Sequence, residues 1–224
     1  MSHRRLKVAV LVSGSGSNLQ VMIDAMQADT LPIDIIGVIS NREDAYAITR
    51  ANTANIPVAV LSHAPSGKRM SIATFEKHAL AQIEAWSPDL VVLAGFMRVL
   101  SAEFIHAVPC VMINLHPSLL PAYKGLDTHA RVVRSGDQHH GCSVHLVTPE
   151  LDAGQVLTQA WLSVDAHDTA EILGKRVQKL EHQLVPATLD LIAKNVLDLD
   201  AIKAGRTTGL LKLPLRFWLH ESQE

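Results

Sequence analysis

Val8-Ala-Val-Leu-Val12, running through Ser13-Gly-Ser-Gly-Ser-Asn-Leu19 into Gln20-Val-Met-Ile-Asp-Ala-Met26, is the stretch on which the fold class depends. A continuous apolar run closed by glycine is how a parallel strand covered on both faces reads, and the apolar residues after the turn recur at helical spacing. The segment is therefore a strand, a glycine-rich turn and a helix. Such a turn aims backbone N–H groups from the positive end of a helix dipole, so Gly14, Ser15, Gly16, Ser17 and Asn18 suit a phosphate, with Ser17 or Asn18 able to cap the helix or add a donor. A dinucleotide site needs a third glycine, where Leu19 stands, and an acid at the end of the second strand, where Ser40-Asn-Arg42 stands. The turn is thus read as a single-phosphate site and not an NAD site; an ordinary tight turn with no ligand is the competing reading.

Outward from it the alternation continues. A strand is expected over 33–39, a helix over 43–55, a short strand over 57–61, a surface loop at 62–68, a helix over 70–86 and a two-sided buried strand over 90–94. Gly95-Phe-Met-Arg-Val-Leu100 then lets the chain turn sharply and presents backbone polar groups beside apolar side chains, a setting for a flat heteroaromatic ring or a plain strand–helix connection. Cys110-Val-Met-Ile113 reads as a buried strand giving way to the loop Asn114-Leu-His-Pro-Ser-Leu-Leu-Pro121. A helix opens at Thr128 and ends near Ser135-Gly136; His139 and His140 are expected in a solvated polar turn. From Gly141 the pattern alternates, and Cys142–Val147 with Gln155–Val164 forms a hairpin. Asp168-Thr-Ala-Glu171 reads as a capping box for a helix to about Asn195, with Leu173, Val177, Leu180 and Leu184 buried and Pro186 kinking it. The apolar segment 210–219 should pack back on the body or meet a second subunit. The expected fold is α/β: an open, mostly parallel, Rossmann-like twisted sheet with helices on both faces and a C-terminal antiparallel hairpin.

The whole chain, 224 residues with 48% hydrophobic and 19% charged, is read as one domain, with 1–109 as a phosphate-binding half, 110–195 as a catalytic half and 196–224 as a tail. A net charge of -2 without a basic cluster argues against a nucleic-acid or membrane-surface partner. Two cysteines, Cys110 and Cys142, lack metal-ligand spacing, and neither a signal peptide nor a bilayer-spanning run is evident, so a cytoplasmic enzyme of small molecules, monomer or homodimer, is expected.

Strand alternation puts Asn114 and His116 on one side, and Pro117 holds His116 extended. Ligands in such sheets bind outside the carboxyl ends of the strands, so both residues face a ligand. Ser143 and His145 share a face of the later strand. Asp152, before Ala153-Gly154, is of a kind usually explained by turn chemistry. Ser118 lacks a nucleophile elbow, Cys110 is buried, and no metal cluster is seen. Without a covalent intermediate, Asn114 and His116 act best on a tetrahedral oxyanion, and Asp152 could keep His116 protonated. This is direct acyl transfer.

Ser-Gly-x-Gly-Ser-Asn-Leu at 13–19, Leu-Ala-Gly-Phe-Met-Arg at 93–98, Asn-x-His-Pro-Ser-Leu-Leu-Pro at 114–121, His-Gly-x-Ser-Val-His at 140–145 and Glu-Leu-Asp-x-Gly at 150–154 together resemble the phosphoribosylglycinamide formyltransferases, folate-dependent formyltransferases of purine biosynthesis. The resemblance implies transfer of the formyl group of 10-formyltetrahydrofolate, a cosubstrate, to the amine of glycinamide ribonucleotide, without a metal. It implies Asn114, His116 and Asp152 as catalytic residues, with Asp152 raising the pKa of His116. It implies Gly14, Ser15, Gly16, Ser17, Asn18, Gln178 and Glu181 at the ribonucleotide, and Met97, Arg98, Val99, Leu100 and Asn114 at the folate. The related alternatives are a formyltetrahydrofolate deformylase and a non-catalytic folate or nucleotide sensor. Three positions depart from the family: Ser15 replaces Asn, Asp127 replaces His, and Ile72 stands where the family has a ligand-binding arginine, for which Lys68 or Arg69 could substitute.

Overall fold

The computed structural model describes residues 4–62, 70–204 and 215–218. The unbroken apolar runs become central strands: β1 (Leu6–Val12) and β4 (Leu90–Leu93) have their last four or more residues fully covered or nearly so, because helices lie on both faces. With β2 (Ile33–Ser40), β3 (Val58–Val60), β5 (Val111–His116), β6 (His139–Leu146), β7 (Val156–Ser163) and β8 (Leu215–Trp218) they form one eight-stranded sheet of order β3-β2-β1-β4-β5-β6-β7-β8. Strands β1 to β5 are parallel, β6 is antiparallel to both β5 and β7, and β8 is parallel to β7. The hairpin thus extends the sheet, and residues 215–218 of the tail lie back on its edge.

The chain first winds outward through β2 and β3, then returns to the other side of β1 through β4. That reversal opens a crevice at the carboxyl ends of β1 and β4, the place where such sheets bind ligands. One core lies between the sheet and helices α1 (Ser17–Gln27) and α6 (Ala170–Ala193), with Leu19, Met22, Leu173, Val177 and Leu184 buried in it. The other lies under α3 (Ile72–Trp86) and α4 (Ala102–Ala107), around Phe75, Ile83, Val91 and Phe104. Helices α2 (Tyr46–Thr53) and α5 (Thr128–Ser135) and the short α7 (Leu199–Lys203) complete the set.

Four local expectations are corrected. Strand β5 does not yield to a loop at Asn114; it continues to His116, because pairing with β6 supplies partners for the backbone of Asn114 and His116. His140 is not in a solvated turn but inside β6 and 1% exposed, since β6 begins at His139 and alternation turns the next side chain inward. Helix α1 is not capped by Ser17 or Asn18; its N-cap is Gly16, because both side chains reach α6 instead. The cap of α6 is Thr169, which accepts from Ile172 N, one residue later than the expected box. The Asp168 carboxylate is taken by Arg176 and by Asp165 N, and Glu171 pairs with Lys175 at 2.7 Å. Pro186 lies inside α6, where it provides no N–H for the His182 carbonyl.

Candidate active site

Antiparallel register sets Asn114 opposite His145 and His116 opposite Ser143, so β5 and β6 place an amide and two imidazoles side by side. The His145 Nδ1 lies 2.8 Å from the Leu146 carbonyl, which can only accept, so Nδ1 carries the proton and Nε2 is an acceptor in the neutral ring. Burial keeps it neutral: it pushes the His145 pKa down against the upward pull of the Leu146 carbonyl and Asp152. The Asn114 Nδ2 then donates to His145 Nε2 at 3.0 Å, which sets the orientation of the amide. By the same logic His116 donates from Nε2 to the Tyr123 carbonyl at 3.0 Å.

Asp152 lies between the two rings. It adopts a left-handed conformation at φ 48° in the β6–β7 connection, so it serves the turn as well as the site. One oxygen is 3.4 Å from His116 Nδ1 and accepts from Gly125 N at 2.8 Å; the other is 3.6 Å from His145 Nε2. The three are buried together, at 5% exposure for His116, 3% for His145 and 9% for Asp152. The cluster thus joins a carboxylate, two imidazoles and an amide within hydrogen-bonding or ion-pairing reach of one another.

Behind this cluster Tyr123 packs edge-on against His140, whose Nε2 is 3.0 Å from His129 Nδ1. The His140 pKa is lowered to about 4, first by burial and then by the charges of His129 and His116; that of His129 is lowered by burial and His116. The Tyr123 hydroxyl donates to Asp137, and Arg131 donates to the carbonyls of Lys124 and Leu126, so the loop beside His116 is tied at several points.

At the end of β1, Gly16 stands at φ 69° and ψ 29°, with no side chain capping the N–H groups of the first turn of α1. Two α6 residues close the far side. Gln178 donates to Ser17 Oγ at 3.1 Å, and Asn18 Nδ2 donates to Glu181 at 2.9 Å, leaving the buried Asn18 Oδ1 without a partner. Burial raises the pKa of the Glu181 carboxyl, and the Asn18 hydrogen bond opposes that shift. Gly14 and Ser15 are exposed.

After β4, Gly95 turns at φ 72° and Met97 N donates to Ser13 Oγ at 2.8 Å, which joins this loop to the end of β1. Met97 and Val99 are 68% and 67% exposed, whereas Leu100 is buried. The Arg98 guanidinium lies over the Phe75 ring, 5.3 Å from its centre, and donates to the Met70 carbonyl at 3.3 Å. The loop ends where the buried Glu76 accepts from both Ser101 N and Ser101 Oγ, at 2.6 and 2.8 Å. Ile72 packs on the Phe75 core, and Lys68 and Arg69 lie outside the described residues.

The structure therefore brings Asn114, His116 and Asp152 together. It places Gly14–Asn18 with Gln178 and Glu181, and sets Met97–Leu100 between the two groups along the order β1-β4-β5. Sequence reasoning missed two supporting residues. His145 had the signal of alternation with Ser143 but no partner until the strands paired, and Glu76 carried no local signal of its two bonds to Ser101. Among the described residues no group of three or more His, Cys, Asp or Glu could hold a metal ion, and no helix is long and apolar enough to cross a membrane.

Residues 6–189 match the family described as formyl transferase. The chain is 40% identical over 188 residues to phosphoribosylglycinamide formyltransferase of Escherichia coli (strain K12), covering 84% of this chain and 87% of that protein. It is 38% identical over 196 residues to the trifunctional purine biosynthetic protein adenosine-3 of Homo sapiens, which is 88% of this chain but 19% of that much longer protein. Among solved structures, phosphoribosylglycinamide formyltransferase from Coxiella burnetii, in complex with CHES, superposes with a TM-score of 0.78 at 46% identity, over 85% of this chain and 88% of that one. Glycinamide ribonucleotide transformylase 1 from Symbiobacterium toebii gives 0.79 at 35% identity, over 87% and 90%.

Proposed function

The chain belongs to the formyl transferase family, and from that premise we propose how its residues transfer a formyl group to the amine of phosphoribosylglycinamide, a step of purine biosynthesis. The formyl donor of the family is a formyltetrahydrofolate, read here as the 10-formyl form, which supplies the one-carbon group. The exposed Met97 and Val99, on a loop whose backbone is fixed by Ser13 and Glu76, offer an apolar platform with polar edges suited to a pterin ring. Met97, Arg98, Val99 and Leu100 hold the folate, and Gly14, Ser15, Gly16, Ser17, Asn18, Gln178 and Glu181 hold the ribonucleotide, its phosphate on the uncapped N–H groups of α1.

In the transfer, the acceptor nitrogen forms a bond to the formyl carbon, the bond from that carbon to the folate nitrogen breaks, and one proton moves from the acceptor to the leaving nitrogen. Asn114 has a second Nδ2 hydrogen after serving His145, and it donates that hydrogen to the formyl oxygen as charge develops there. His116 donates alongside and carries the proton to the leaving nitrogen, exchanging its Tyr123 carbonyl partner for the substrate. Asp152 stabilises the charged imidazole through Nδ1. The observation that carries this reading is the carboxylate of Asp152 lying between His116 and His145 while His145 orients Asn114.

The test follows consumption of 10-formyltetrahydrofolate by absorbance with and without the ribonucleotide. Consumption that requires the ribonucleotide and yields equimolar formylated product supports the transfer. Consumption at the same rate without it would mean a deformylase, and binding of both ligands without turnover would mean a sensor.

A further inference from the structure

We infer that Arg50 is a ribonucleotide-phosphate residue that holds the Gly14–Asn18 turn open to the anion and brings to it a positive charge that no carboxylate among the described residues neutralises. The inference rests on the reading of that turn as the phosphate site. Helix α2 grips the turn by two successive carbonyls: Ala47 N donates to Gly14 O at 3.1 Å, and Arg50 Nε donates to Ser15 O at 2.8 Å. In a trans peptide the N–H that follows a carbonyl points the opposite way. Anchoring Gly14 O and Ser15 O on α2 therefore turns Ser15 N–H and Gly16 N–H away from α2, adding two donors to those at the start of α1. Successive N–H groups around a left-handed residue form an anion-binding concavity, and Gly16 has that conformation. It needs to be glycine, because a Cβ there would lie 2.6 Å from Ala47 Cβ and 3.4 Å from Arg50 Cδ.

The guanidinium is itself held in place. Nη1 donates to Gln20 Oε1 at 2.9 Å, which ties α2 to α1, and the ring of Tyr46 supports the cation from 4.8 Å. These partners are a carbonyl, an amide and an aromatic face, so hydrogen bonds orient the charge without cancelling it. Among the described residues Arg50 forms no ion pair. Its field also reaches α6, where burial and then Arg50 push the His182 pKa down, which sets the cation on the same side as Gln178 and Glu181. A bound phosphate completes this arrangement as the missing counter-ion.

The experiment is steady-state kinetics of the full-length enzyme with phosphoribosylglycinamide and with its dephosphorylated nucleoside. Arg50→Met is expected to raise KM for the ribonucleotide roughly tenfold, the scale of one nearby charge lost together with an anchor of the turn, with kcat and the folate KM little changed and the nucleoside unaffected. Arg50→Lys keeps the charge but cannot span Ser15 and Gln20 together; it raises the ribonucleotide KM by a smaller factor and carries the test alone if the Met variant does not fold. An equal loss on nucleotide and nucleoside, or no change in the ribonucleotide KM, overturns the inference. Ser17→Asp separates the two layers of the argument, since a carboxylate beside the uncapped N–H groups must raise the ribonucleotide KM if phosphate binds there. No effect of Ser17→Asp refutes the phosphate-site reading itself, whereas an effect of Ser17→Asp without one of Arg50→Met refutes only the role of Arg50.

Discussion

The Gly14–Asn18 turn and the β5–β6 seam lie along the same edge of the sheet but are made of different materials. The turn presents backbone: its side chains reach sideways to α6, its carbonyls are tied to α2, and the N–H groups at the start of α1 carry no side-chain cap. The seam presents side chains, each given its tautomer or orientation by another, from Leu146 O to His145 to Asn114 and from Asp152 to His116. A backbone site depends on conformation and is sensitive to a Cβ or to the loss of an anchoring hydrogen bond. A side-chain site depends on charge and is sensitive to the exchange of a single atom.

Asp152→Asn should break the seam most sharply. The amide can still accept from Gly125 N, so the fold persists, but the negative charge between His116 and His145 is lost. Turnover is expected to fall by roughly 10²–10⁴, with both Michaelis constants within a few fold, as measured by steady-state kinetics. A loss confined to the ribonucleotide KM would show that the contrast between the two regions is misdrawn.

The buried His140 behind the seam makes that half the acid-sensitive one. Its pKa is depressed to about 4 from 6.5, so between those values the unfolded chain binds a proton that the folded chain does not. Stability is therefore intact above about pH 6.5 and falls as pH drops, by about 3 kcal/mol at pH 4 from this group alone. His129, His145 and His182 shift in the same direction and steepen the slope. His140→Gln should flatten it, as read from urea midpoints across pH 4–7; an unchanged slope would remove His140 from this account.

Gly16→Ala tests the backbone site. The added methyl must displace Ala47 from 2.6 Å and occupy a left-handed conformation, for about 1–3 kcal/mol of lost stability in thermal unfolding and a rise of roughly tenfold in the ribonucleotide KM, while kcat is retained. The smallest effect is expected at Glu181, whose carboxyl pKa is raised by burial. The folded state holds its proton more tightly than the unfolded state, so stability declines as pH rises through the raised value. Glu181→Gln should thus be more stable than wild type at neutral pH while its ribonucleotide KM rises severalfold. A destabilised variant would mean that the ionised carboxylate has a better partner than Asn18.

What the amino-acid order determined by itself is local. Unbroken apolar runs closed by glycine made the parallel strands readable, and hairpin alternation marked β6 and β7, because burial on two faces or one is written in the spacing of apolar residues. The signature stretches at Gly14–Asn18, Met97–Leu100, Asn114–His116 and Asp152 pointed to the site for the same reason, each being short and contiguous. Only the tertiary structure could place His140 in the interior, since a polar pair after a glycine looks solvated until a neighbouring strand covers it. Only it could find Glu76 of α3 bonded to the start of α4, His145 behind Asn114 and Arg50 beside the Gly14–Asn18 turn. Each of these acts on a residue 25 to 35 positions away, and such partners are chosen by strand register and helix packing. A side chain's hydrogen-bond partner across the sheet is a property of that packing, and no local pattern of residues encodes it.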